Sequence, residues 1–206
     1  SLTANGAQTY TWNPGNLTGT AVVVSPTVTT DYTVVATSSA GCVGSNTISL
    51  IVVPNPTINS SASPTAVCVG FSSTLSASGA TNYTWTPSAL TGSAAVVSPT
   101  STTVYTVTGS TAGCSSSSTV QLVINGNPTI TASASPSAVC PGFSSALSAT
   151  GAVSYTWNPG TLLGANITVT PSASGIYTVN GESIDGCLSS QTISLVVDPT
   201  PTINLT

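Results

Sequence analysis

Residues 83–85 read Tyr83-Thr84-Trp85, and the same triplet stands at Tyr10-Thr11-Trp12 and Tyr155-Thr156-Trp157. Outward from it, each triplet is followed by a Tyr-Thr-Val strand starting at Tyr32, Tyr105 or Tyr177. A Gly-Cys pair then ends at Cys42, Cys114 or Cys187. Successive copies lie 72 or 73 residues apart. Self-similarity at a fixed period marks an array of like units, and each unit here is long enough for a small core.

Residues 56–127 form one complete copy. Pro, Gly, Ser and Thr are too dense for helices, while β-branched residues fill the apolar runs. Thr57 to Val67 is an extended edge segment, because Pro64 is tolerated only at an edge or a bend. Leu75 and Ala77 face inward from Ser73–Ser78, and Gly79-Ala80 turns the chain. Tyr83 and Trp85 share one strand face, being two residues apart. A short strand at Ala94–Val97 and a hairpin tipped by Thr111-Ala112-Gly113-Cys114 complete about seven strands, the pattern of an immunoglobulin-like sandwich. The fold expected is all-β: tandem immunoglobulin-like β-sandwich repeats in an extended rod. Its core aromatics are Trp12, Trp85, Trp157, Tyr32, Tyr105 and Tyr177.

The expected divisions are 1–55, a first repeat truncated at its N-terminus, then 56–127, 128–200, and 201–206 as the start of a further repeat or a donated strand. Leu2-Thr3-Ala4 aligns with Leu75-Ser76-Ala77, and Pro201-Thr202-Ile203-Asn204 repeats Pro56-Thr57-Ile58-Asn59. With methionine absent, the chain reads either as a processed protein or as a window of a longer one. Proline in each short linker keeps it extended, which gives a semi-rigid rod of roughly 100 Å or more at strand rise.

The chain has no Lys, Arg or His and four acidic residues, Asp31, Glu182, Asp185 and Asp198. Without a cation it cannot displace counterions from nucleic acid or be drawn to anionic lipid. No run reaches the length of a membrane span. Its 40% hydrophobic content favours folded units over a disordered stalk. With so little charge, copies barely repel one another and lateral or end-to-end packing costs little.

The order Cys68-Val69-Gly70-Phe71-Ser72, Leu75-Ser76-Ala77, Tyr83-Thr84-Trp85, Tyr105-Thr106-Val107, Gly113-Cys114 resembles the Ig-like and PKD-like repeats of secreted Bacteroidota surface proteins, including very large adhesins of the gliding-motility kind. The resemblance spans the whole chain. It implies export to the cell surface by the type IX route, and an extracellular location. It is specific for the repeat and not for function. In one departure from antibody-like domains, Val179 stands where the intersheet cysteine would be, with Ala149 opposite.

The five cysteines are Cys42, Cys68, Cys114, Cys140 and Cys187. Cys42 is odd because the segment that would carry its mate is missing, and disulfides are the natural reading in an exported chain. The default pairing lies within each copy, Cys68–Cys114 and Cys140–Cys187. Each would close a loop of some 47 residues, worth roughly 3–4 kcal/mol. The alternative joins neighbouring copies. Cys68 precedes the second strand and Cys114 caps the sixth, normally at opposite ends, and stacking would bring Cys68 to Cys187.

No metal, cofactor or catalytic residue is expected. Glu182 and Asp185 offer two carboxylates where calcium wants six or more oxygens. No His or Lys is present to activate a serine. The reading is therefore a non-catalytic structural segment of an extracellular filament or cell-surface adhesin stalk. Its partners would be further copies, in a fibre or as neighbouring repeats, with Thr202–Thr206 available as a strand for the first repeat. The alternative is a recognition module for a surface glycan, stacking it on the Tyr/Trp pairs.

Overall fold

A computed structural model describes residues 1–203. The expectation of a further repeat or donated strand at 201–206 therefore falls partly outside the described residues. Pro201, Thr202 and Ile203 are exposed and not in a strand.

Among the described residues every element is a β-strand. The first copy contains β1 (Leu2–Thr3), β2 (Thr9–Asn13), β3 (Leu17–Thr18), β4 (Ala21–Val22), β5 (Thr30–Thr37) and β6 (Val43–Leu50). These form a β1-β4 pair and a β3-β2-β5-β6 sheet.

The second copy contains β7 (Asn59–Ser63), β8 (Ala66–Cys68), β9 (Ser73–Ser78), β10 (Asn82–Thr86), β11 (Leu90–Thr91), β12 (Ala94–Val97), β13 (Thr103–Thr111) and β14 (Cys114–Asn125). Its sheets are ordered β12-β9-β7 and β11-β10-β13-β14-β8.

The third copy repeats that plan with β15 (Thr131–Ser135), β16 (Ala138–Val139), β17 (Ser145–Thr150), β18 (Ser154–Asn158), β19 (Leu162–Leu163), β20 (Asn166–Val169), β21 (Gly175–Glu182) and β22 (Leu188–Val197). Its sheets are β15-β17-β20 and β16-β22-β21-β18-β19.

The protein is thus all-β, with tandem immunoglobulin-like sandwiches. The opening segment of each complete copy serves both sheets. It runs antiparallel to one sheet as β7 or β15, bends at Pro64 or Pro136, and joins the other parallel to the last strand as β8 or β16. Proline lacks the N–H that a continuous ladder needs, so the crossing falls there. Ser73 and Ser145 are buried at this bend. Their hydroxyls donate to the Pro64 and Pro136 carbonyls at 2.6 Å.

By its internal contacts the chain divides into two compact units. One is Ser1–Ile58 with Gly79–Tyr83 and Thr108–Ser117. The other is Asn59–Ser78, Thr84–Val107 and Ser118–Thr206. The first copy lies in the former and the third in the latter, while the second contributes to both. Strand alternation places one face of each sheet inward. In the third copy Leu147, Trp157, Val179 and Leu195 form the heart of the core, and in the first Leu2, Trp12, Val22 and Tyr32 do so.

Candidate functional site

The three indoles are buried, at 2% exposure for Trp12 and 0% for Trp85 and Trp157. Each Nε1–H donates to a glycine carbonyl seven residues on, at Gly19, Gly92 and Gly164, over 3.0–3.1 Å. Tyr32 and Tyr105 are buried, and Tyr177 is half-buried against the third core. Burial pushes the Tyr105 hydroxyl above its ordinary pKa of 10.0. Indoles enclosed in this way offer no stacking platform to a sugar.

A second set of tyrosines holds the turn before each Trp strand. The hydroxyls of Tyr83 and Tyr155 each donate to the carbonyl and accept from the N–H of one residue, Ala80 or Ala152, at 2.6–2.9 Å. Tyr10 grips Ala7 in the same way. The clue lies in the repeated Gly-Ala-x-x-Tyr at Gly6, Gly79 and Gly151, whose tyrosine was legible only as a partner of the Trp.

The cysteines form the most informative arrangement. Cys68 is bonded to Cys187, with the Cα atoms 5.5 Å apart across a sequence separation of 119. Cys42, Cys114 and Cys140 are free thiols. The within-copy pairs Cys68–Cys114 and Cys140–Cys187 are therefore not formed, and the bond joins the second copy to the third. Strand register supplies the reason. Cys140 follows Val139, which pairs with Val197 at the end of β22, whereas Cys187 precedes the start of β22. Ten residues of strand separate those ends by about 30 Å, far beyond the ~7 Å limit for Cα atoms in a disulfide. Cys68 stands likewise beside Asn125, at the far end of β14 from Cys114.

The hairpin-tip cysteine instead meets the C-terminal end of the preceding copy. Cys187 Sγ lies 3.7 Å from the Asn125 carbonyl oxygen. Cys114 Sγ lies 3.4 Å from that of Val53, the residue matching Asn125. The 119-residue closure is worth about 5 kcal/mol by loop entropy, more than the shorter loops expected from the spacing.

In the first copy a cavity of about 460 Å³ opens among Ala4, Tyr10, Trp12, Val34 and Ala36. In the complete copies Ile58 and Ile130 pack where Gly109 and Gly181 have no Cβ; a Cβ there would overlap the isoleucine Cδ1. Ala36 occupies the matching position, since it pairs with Tyr10 as Gly181 pairs with Tyr155. An isoleucine entering this cavity as Ile58 does would meet the Ala36 methyl.

Glu182 and Asp185 do not converge on a common point with other ligands. Among the described residues no group of three or more His, Cys, Asp or Glu could hold a metal. Among the same residues no helix is long and apolar enough to cross a membrane.

Neither a known protein family nor a curated protein matches the chain. Among solved structures it is similar to the I-band fragment I67–I69 of titin, at 16% identity and TM-score 0.43, covering 92% of this chain and 87% of that one. A Ca²⁺-stabilised adhesin that helps an Antarctic bacterium reach out and bind ice is similar at 15% identity and TM-score 0.43, over 97% of this chain and 68% of that one. A 1.5-MDa bacterial ice-binding adhesin is similar at 15% identity and TM-score 0.41, over 93% and 85%. Likenesses this loose add nothing to the strand order, on which the fold rests.

Proposed function

We propose that the chain is a non-catalytic structural segment of an extracellular filament or cell-surface adhesin stalk. In this reading it is built from modules at 1–55, 56–127 and 128–200 placed in series and able to associate with further copies. The Cys68–Cys187 bond carries the reading, because it ties one copy to the next. A staple within a copy protects that copy alone, while a staple across a junction keeps a pull on one copy from separating it from its neighbour. A disulfide also suits an oxidising, extracellular setting. The buried indoles offer no face to a glycan, and no His or Lys is present to activate a serine.

Pulling the single chain by its ends tests this. The bond removes its 119-residue span from the extensible path and leaves 87 of the 206 residues. At about 3.5 Å per residue the oxidised chain should extend to about 300 Å and the reduced chain to about 720 Å. Equal extension in both states would remove the load-limiting role.

A further inference from the structure

Each half of the bonded junction occurs a second time in the molecule, unbonded. One half is the tip that presents Cys187. There the Ser183 N–H donates to the Cys187 carbonyl at 2.8 Å, the Gly186 N–H to the Ser183 carbonyl at 3.0 Å, and the Cys187 N–H to Ser183 Oγ at 3.1 Å. The first copy reproduces this turn around Cys42, with Ser38 and Gly41 making the same three bonds at 2.9, 3.0 and 3.2 Å. Gly41 and Gly186 share the left-handed conformation, with φ of 81° and 78°. The second copy has a different tip, a two-residue turn through Ala112 and Gly113.

The other half is the seat that presents Cys68. It lies at the end of the parallel strand β8, followed by Gly70 in the left-handed region and a Phe71 N–H donating to the Cys68 carbonyl at 3.1 Å. Cys140 follows the parallel strand β16, with Gly142 left-handed and the Phe143 N–H donating to its carbonyl at the same 3.1 Å. Asp198 N–H donates to Val139 there, which places Asp198 where Asn125 stands beside Cys68. Cys42 and Cys140 are both exposed, whereas Cys187 is fully buried.

We propose that a second copy of this chain docks head to tail, its Cys42 tip seated on the Cys140 end of the first, and that Cys42 and Cys140 join as Cys187 and Cys68 do. The junction deepens the serial reading and rests on it. Tip and seat differ, so the contact is heterologous and propagates as a filament unless its rotation closes a ring. One Sγ–Sγ bond forms as two S–H bonds are lost. The two electrons and two protons pass to a disulfide oxidant such as oxidised glutathione, whose S–S bond breaks to give two thiols.

The test incubates the full chain in a glutathione redox buffer and reads covalent multimers on non-reducing gels and by light scattering, with the linkage mapped by mass spectrometry. A ladder linked through Cys42–Cys140 is expected. It should vanish in C42S and in C140S and persist in C114S. An equal mixture of C42S and C140S should stop at a dimer, because only one tip and one seat remain. No ladder in the natural chain, a ladder surviving in C42S, or Cys42–Cys42 links would overturn the proposal. The single-chain extension is measured separately. A short oxidised extension without a ladder sinks the junction between copies alone, and a long one sinks the serial reading beneath it.

Discussion

The hairpin tips of the first and third copies have the same turn, the same three hydrogen bonds and the same Gly-Cys pair, yet Cys42 is exposed and free while Cys187 is buried and bonded. The turn therefore sets where the sulfur points, and whatever is stacked on the tip sets its chemical state. A hairpin-tip cysteine in this repeat acts on the copy before it and not on its own. The same lesson holds for Cys114, whose sulfur already sits against Val53 of the preceding copy.

Breaking the bond should separate the two tips most strongly. Cys187→Ser or Cys68→Ser loses the 119-residue closure and should lower stability by about 5 kcal/mol in denaturant unfolding. Cys42→Ser, in the same turn, should stay within about 0.5 kcal/mol of the natural chain, as an exposed substitution does.

The glycine before each Tyr strand sharpens the contrast between complete and first copies. Gly79 and Gly151 have φ of 103°, and a methyl group on either would overlap the Thr57 or Thr129 carbonyl. Gly6 has φ of 94° with open space around it. Alanine at 79 or 151 should therefore cost about 3 kcal/mol or more, through strain plus displacement of the opening segment. Gly6→Ala should cost only the backbone strain, about 1 kcal/mol. Thermal unfolding of the three variants measures the order. A smaller effect is expected from Tyr155→Phe, which removes both bonds to Ala152 and should cost about 1–2 kcal/mol by the same assay.

Much of this was legible in the residues. The period exposed the copies, and the Tyr-Thr-Trp triplets named the indoles that fill each core, because a two-residue spacing on a strand fixes the face. Pro64 allowed an edge or a bend within one extended edge segment, and the structure has the bend, at the point where the opening segment leaves one sheet for the other. The cysteine pairing was harder. Spacing within a copy favours Cys68–Cys114, while the usual sandwich topology already sets those two at opposite ends and offers Cys68–Cys187 as the alternative; the parallel register of Ala66–Cys68 with Val123–Asn125 decides for the alternative. That register depends on contacts nearly sixty residues apart, which no local pattern encodes. Ala36 was equally silent. It reads as one more small strand residue until Gly109 and Gly181 show that the matching site admits an isoleucine.

The pairing itself tests the account most directly. Trypsin has no site in this chain, so the oxidised protein should be cut with a protease specific for aromatic residues and its disulfide-linked peptides sequenced by mass spectrometry. The account predicts that the peptide carrying Cys68 is recovered joined to the one carrying Cys187. Recovery of Cys68 with Cys114 and of Cys140 with Cys187 would contradict it.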